Sequence, residues 1–205
     1  MPDDRTDLRA TLLRAAEEEI AQVGVGAVSL RAIARRAGVS HQAPGHVFRD
    51  SAGLFTAVAG VGYDALSTAL ERERAQADDP RAGLIAVGTA YVRFACRHDA
   101  LFSVIVRPEL WDPTDPRLAA SRARAFAVLD DAVAEACAAG WGGGVDQRTL
   151  ALLCWSSVHG LASLARDGVL AIEVPEATPE QLADLLSTTL IDGLATGGTS
   201  AASSS

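Results

Sequence analysis

Cysteine, aromatic and β-branched residues are all scarce in this chain, and each scarcity closes off a class of protein. The three cysteines, Cys96, Cys137 and Cys154, are far apart and set among apolar neighbours. That spacing excludes a disulfide framework and a metal knuckle, and leads us to expect buried, reduced thiols in a reducing, cytoplasmic compartment. Aromatic residues make up 5% of the chain, and with few β-branched residues beside abundant Ala and Leu the balance favours helices over sheet. No uncharged run reaches membrane-spanning length: the longest, 149–165, is interrupted by Ser156, Ser157 and His159 and reads as a buried helix. The first residues, MPDDRTD, are acidic and lack the basic and apolar regions of a secretory signal. Nucleophile elbow, phosphate loop, dinucleotide fingerprint and zinc spacing are missing too, and His41, His46, His98 and His159 fall in no ligand pattern. The acidic pairs Asp130–Asp131 and Glu17–Glu19 read as exposed helix faces. Neither an enzyme nor a metal or cofactor site is expected.

What the chain does contain is length and apolar mass. With 205 residues and 49% hydrophobic content, a small N-terminal module on a larger helical body is feasible. The net charge of −8 argues against indiscriminate coating of nucleic acid, but it hides an asymmetry. Residues 1–49 carry seven Arg against six acids, or +1, and residues 50–205 carry eleven Arg against twenty acids, or −9. From Ile20 to Arg49 there is no acid at all, only Arg31, Arg35, Arg36 and Arg49. A phosphate backbone calls for such a cationic window.

Helical periodicity begins at Leu8, Leu12, Ala16, Ile20 and Val23 and stops at Gly24 and Gly26, which predicts a first helix over 5–23. Ser29 should cap a second helix whose inner face is Leu30, Ile33, Ala34 and Ala37, ended by Gly38. Ser40 should cap a short third helix that contains Pro44 and Gly45 and is anchored by Val47 and Phe48. A fourth starts near Ser51 and carries Leu54, Val58, Val61, Leu66 and Leu70. Five more are expected over 81–97, 101–106, 117–139, 146–167 and 179–195, about nine in all, with breaks at Pro108–Pro116, Gly140–Gly144 and Pro175–Pro179. The small, polar tail 197–205 reads as disordered. The fold class is therefore all-α. Its expected parts are a three-helix domain over 1–50, a larger helical body over 51–196 and the tail.

The densest information lies in SLRAIARRAGVSHQAPGHVF, Ser29–Phe48. Two short helices joined by a three-residue turn, with small Ala34 at the crossing and Gly38 at the bend, make a helix-turn-helix. The second helix would present Ser40, His41, Gln42 and Ala43 to a major groove. Gln pairs bidentately with adenine, Ser and His meet phosphates or base edges, and Ala touches a thymine methyl. Ser29, Arg31, Arg36, His46 and Arg49 complete the candidate DNA-binding set. The same arginines would also suit a merely solvated helix face.

A helix at the N-terminus, the run LRAIARRAGVSHQAP, then Phe48, Asp50 and a fourth helix opening with Leu54 together resemble the N-terminal domain of TetR-family regulators over about residues 8–61. The resemblance implies a homodimeric transcriptional repressor that binds double-stranded DNA and is released by a small-molecule effector. Two positions depart from the family pattern: Gly45 stands where relatives usually carry Tyr, and Ser51 where they carry Lys or Arg, both of which typically hold phosphates. Position 46, here His46, often does the same. The run WSSVHGLASL, residues 155–164, is similar to the Trp-His-Gly signature of one C-terminal subgroup, which implies a helical ligand-binding and dimerisation domain.

Candidates to line a ligand cavity are Tyr91, Phe94, Phe102, Trp111, Phe126, Trp155 and His159, each of which would serve equally as core. Their character points to a largely apolar effector. The last helix carries Leu182, Leu185, Leu186, Thr189, Leu190, Gly193 and Leu194 at helical spacing on one stripe, of which Leu182, Leu186 and Leu190 are the expected contacts. With Leu153, Leu161 and Leu164 of the preceding helix it would form half of a four-helix dimer interface, or else pack only on its own core. Such a dimer would read an imperfect palindrome. The alternative kept open by Gly45 and Ser51 is a TetR-like helical ligand-binding protein whose DNA binding is weakened or lost. An α-helical enzyme would need a catalytic constellation that the chain does not display.

Overall fold

The computed structural model describes residues 4–196, so the predicted disordered tail lies outside the described residues. Within them the chain forms ten α-helices, two single 3-10 turns and no strand. The all-α expectation is met. The first four helices are α1 (Asp4–Val23), α2 (Leu30–Arg36), α3 (Ala43–Phe48) and α4 (Ser51–Arg74). They are followed by α5 (Pro80–Arg97), α6 (Asp99–Ile105), α7 (Pro116–Ala138), α8 (Gln147–Arg166), α9 (Val169–Glu173) and α10 (Pro179–Thr196). Most boundaries fall within two residues of the periodicity. The unpredicted helix is α9, a five-residue turn that follows left-handed Gly168 and buries only Leu170; one buried apolar residue leaves no period to read.

The described chain divides into two compact units. The first comprises the residues up to Ala65 together with His98–Ala123. In it Leu12, Ala16 and Ile20 form the buried stripe of α1, which packs on α2 and α6, while α2 packs on α3. The buried stripe of α4 begins with Leu54 and Val58 and runs on through Gly62, against which the Ile105 side chain of α6 sits. Val61 lies off that stripe and is exposed rather than core. Loop 106–115 is tied back by Trp111, whose Nε1–H donates to the Val104 carbonyl at 3.1 Å, and by Thr56, whose Oγ1 accepts from the Asp112 N–H at 2.9 Å.

The second unit comprises Leu66–Arg97 and the chain from Arg124 onward. Here α5, α8 and α10 pack mutually. Helix α8 is capped by Asp146, whose carboxylate accepts from the Thr149 N–H at 3.0 Å, and the Trp141 Nε1–H fastens α10 by donating to the Ile191 carbonyl at 2.8 Å. Of the three free cysteines, Cys154 is buried and Cys137 half-buried, whereas Cys96 is exposed at the end of α5, contrary to the expectation of three buried thiols. Burial pushes the Cys154 thiol up to about 11. Helix α4 is long and apolar enough to cross a membrane by length and composition, and 56% of that apolar window is buried inside the protein, as in a core helix.

Candidate DNA-binding surface and aromatic cluster

The Ser29 Oγ accepts from the Ala32 N–H at 3.2 Å and starts α2, which buries Ile33 and Ala34. Gly38, at φ 68°, then reverses the chain, and the Val39 N–H donates back to the Ala34 carbonyl at 3.0 Å. A residue with a Cβ takes that left-handed backbone at a cost, so glycine belongs here. The next helix starts later than its sequence suggests. Ser40, His41 and Gln42 form a turn, with the Ala43 N–H donating to the Ser40 carbonyl at 2.9 Å, and α3 runs only from Ala43 to Phe48. Pro44 accounts for the late start: it has no N–H to donate and its ring is buried near the helix N-terminus.

Burial divides this segment into two faces. Pro44 and Phe48 point inward, and the Arg9 guanidinium stacks over the Phe48 ring at 5.2 Å. Ser29, Arg31, Ser40, His41, Gln42, His46 and Arg49 are exposed, and Ala43 is half-buried. Arg36 is placed differently. Its Nε and Nη2 donate to the buried Glu19 carboxylate of α1 at 2.9 and 2.7 Å, Nη2 also reaches the Gln22 side chain, and Nη1 lies 3.7 Å from Glu18. This cation therefore clamps α2 to α1. Glu19 precedes Arg36 by seventeen residues, a separation at which no local periodicity links the two.

The aromatic candidates separate between the units. Phe102 and Trp111 are buried in the first, with Arg122 over the Trp111 ring at 5.8 Å. Tyr91, Phe94, Phe126, Trp155 and His159 belong to the second. There Phe126 and Trp155 meet edge to face at 5.2 Å, Trp155 and His159 lie 5.8 Å apart, and Tyr91 Oη and His159 Nδ1 share a hydrogen bond of 2.8 Å. Burial, helped by Arg166, holds the His159 pKa below its ordinary value.

Comparison with known proteins bears on both faces. Residues 12–58 match the family of bacterial regulatory proteins, tetR family, and residues 84–190, over half the chain, match the tetracyclin repressor-like C-terminal domain. The chain is a TetR-family transcriptional regulator.

The TetR-family chain is 34% identical to a protein of unknown function from a Rhodococcus species, over 92% of this chain and 95% of that one, with a TM-score of 0.80. The TetR-family regulator PfmR from Thermus thermophilus has the same fold at 18% identity, with a TM-score of 0.71 over 89% of this chain and 98% of that one. Among curated relatives, the HTH-type transcriptional regulator BetI of Pseudomonas aeruginosa is 42% identical over 81 residues, 38% of this chain and only 41% of the BetI chain. The family is one of transcriptional regulators, and PfmR and BetI are themselves described as regulators. Two TetR-family positions that depart from the pattern are both exposed: Gly45, where an added Cβ would meet open space, and Ser51, the first residue of α4.

Helix α10 buries Ala183, Ser187 and Ile191, spaced four apart, and leaves Leu182, Leu186 and Leu190 half-covered. Leu185, a member of the same predicted stripe, is 62% exposed. On α8, Leu153 and Leu164 are 37% and 44% exposed, Leu161 is half-buried, and Leu152 is exposed as well.

Proposed function

We propose that this TetR-family regulator is a homodimeric, sequence-specific DNA-binding repressor of the cytoplasm, released by a small, largely apolar ligand. Its DNA-binding part is residues 1–50, its ligand-binding and dimerisation body is 51–196, and Trp155, His159 and Gly160 ally that body with the Trp-His-Gly subgroup. The observation that carries the reading is the two-sided α2–turn–α3 segment, in which polar and cationic side chains face solvent while Ile33, Ala34, Pro44 and Phe48 hold the pair in place. Gln42 reads bases, with Ser40, His41 and Ala43 beside it. Ser29, Arg31, His46 and Arg49 meet phosphates, and Arg36 acts indirectly, holding α2 on α1. The ligand lies against Tyr91, Phe94, Phe126, Trp155 and His159. In two copies, α8 and α10 form the interface through Leu153, Leu161, Leu164, Leu182, Leu186 and Leu190. Two linked recognition segments then require an imperfect palindrome, and a ligand that favours the wrong spacing releases it, at a typical coupling of about 1–3 kcal/mol.

Fluorescence anisotropy with duplexes from the protein's own upstream DNA tests this. Gln42→Ala should relax the preference at one operator position by roughly 1–3 kcal/mol while leaving binding to scrambled duplex unchanged. An equal loss on both duplexes would move base reading away from Gln42. Gly45 and Ser51 favour a second reading, a ligand-binding protein without DNA recognition, since each removes a phosphate-holding side chain typical of the family. Failure of the native protein to prefer any upstream duplex over scrambled DNA would select it.

A further inference from the structure

Arg49, which joins α3 to α4, has φ 73° and ψ −60° and is the one non-glycine residue with positive φ among the described residues. These angles belong to the rarer and more strained γ-turn conformation, which a side chain disfavours. Before it, the Arg49 N–H donates to the Gly45 carbonyl at 2.9 Å and closes α3. After it, Asp50 begins α4, its Oδ1 accepting from the Gly53 N–H at 2.8 Å and its carbonyl from the Leu54 N–H at 3.1 Å.

The reversal is held open by an empty position. A Cβ built on Gly53 would lie 2.0 Å from the Phe48 carbonyl oxygen, 3.1 Å from its carbon and 3.6 Å from Asp50 Oδ1. The two nearest of these atoms are backbone and cannot swing aside. Phe48 and Leu54 on either side of the turn are 3% and 1% exposed, so neither flank can shift without disturbing the core. Arg49 itself is exposed. We propose that Gly53 is a positioning residue for DNA binding: by admitting the Phe48 carbonyl to the first turn of α4 it fixes the left-handed reversal that aims Arg49 at the phosphate backbone. This inference rests on the DNA-binding reading above.

Four proteins separate it from a merely structural role: the native chain, Arg49→Gly, Gly53→Ala and the double variant, each titrated by anisotropy over a salt series with operator and scrambled duplexes. Arg49→Gly should weaken both duplexes alike and lower the slope of log affinity against log salt by about 1 per protomer. It should also melt higher than the native chain, since glycine accepts the backbone that arginine strains to adopt. Arg49→Lys, which keeps the charge, should keep the native slope. Gly53→Ala should lower the slope as Arg49→Gly does, and the double variant should be no weaker than the weaker single. A native slope for Gly53→Ala beside a reduced one for Arg49→Gly overturns the inference, as does a double variant in which the two losses multiply. Should Gly53→Ala melt below the assay temperature, all the salt series are run beneath its melting temperature, where the same slopes support or overturn the inference. Absence of binding by the native chain is read from its own arm alone, and it removes the DNA-binding reading together with this one.

Discussion

Single side chains in this protein have roles that their neighbours in sequence do not announce. Arg36 belongs, by sequence, to a cationic window; in the fold its guanidinium is committed to Glu19 and Gln22, and a buried carboxylate stripped of such a partner is strongly destabilising. His159 shows the same dependence on surroundings. Burial, with Arg166 nearby, lowers its pKa in the folded state, so between the unfolded value of about 6.5 and the lower folded value the unfolded chain binds more protons. Stability contributed by the neutral imidazole is therefore complete above that unfolded pKa and declines as the pH falls towards the folded one. Melting temperature measured from pH 7.5 to 5 should fall on the acid side for the native chain and fall less for His159→Gln. Parallel curves for the two proteins would place the acid sensitivity on other groups.

At the scale of elements, apolar spacing locates helices well and chooses their inward faces less well. Periodicity offers the α10 leucines as the face that packs, yet Ala183, Ser187 and Ile191 are what α10 buries, and Leu185 is left in solvent. Small residues let α10 come close to α5 and α8, and the larger leucines are displaced to the flanks. Val61 is displaced in the same way on α4, because the stripe passes through Gly62. The half-covered leucines of α8 and α10 are the surface proposed to meet a second copy, and an exposed residue probes it without harming the fold. Leu185→Glu should convert dimers to monomers in multi-angle light scattering at micromolar concentration while leaving the helical circular dichroism unchanged. An intact dimer would place the interface elsewhere.

For the molecule as a whole, the proposed dimer makes operator spacing a mechanical variable, since two recognition segments joined through one interface must reach successive major grooves together. Inserting about five base pairs between the half-sites turns one of them to the far side of the duplex. That insertion should abolish the specific mobility shift, and equal affinity for the altered operator would show that each protomer binds alone. The all-α class, the positions of most helices and the helix-turn-helix are legible along the chain, because periodicity, caps and the Gly38 bend are local properties of consecutive residues. Which arginine is committed to an ion pair, which face of α10 is buried, and which aromatics keep company are not. Tyr91 and His159, Arg36 and Glu19, and Gly62 and Ile105 are set against each other only by the folded chain. Local propensity and periodicity act over a turn or two of helix, whereas these pairings are set by close packing between elements, where a missing Cβ or a committed guanidinium decides what its neighbour can do.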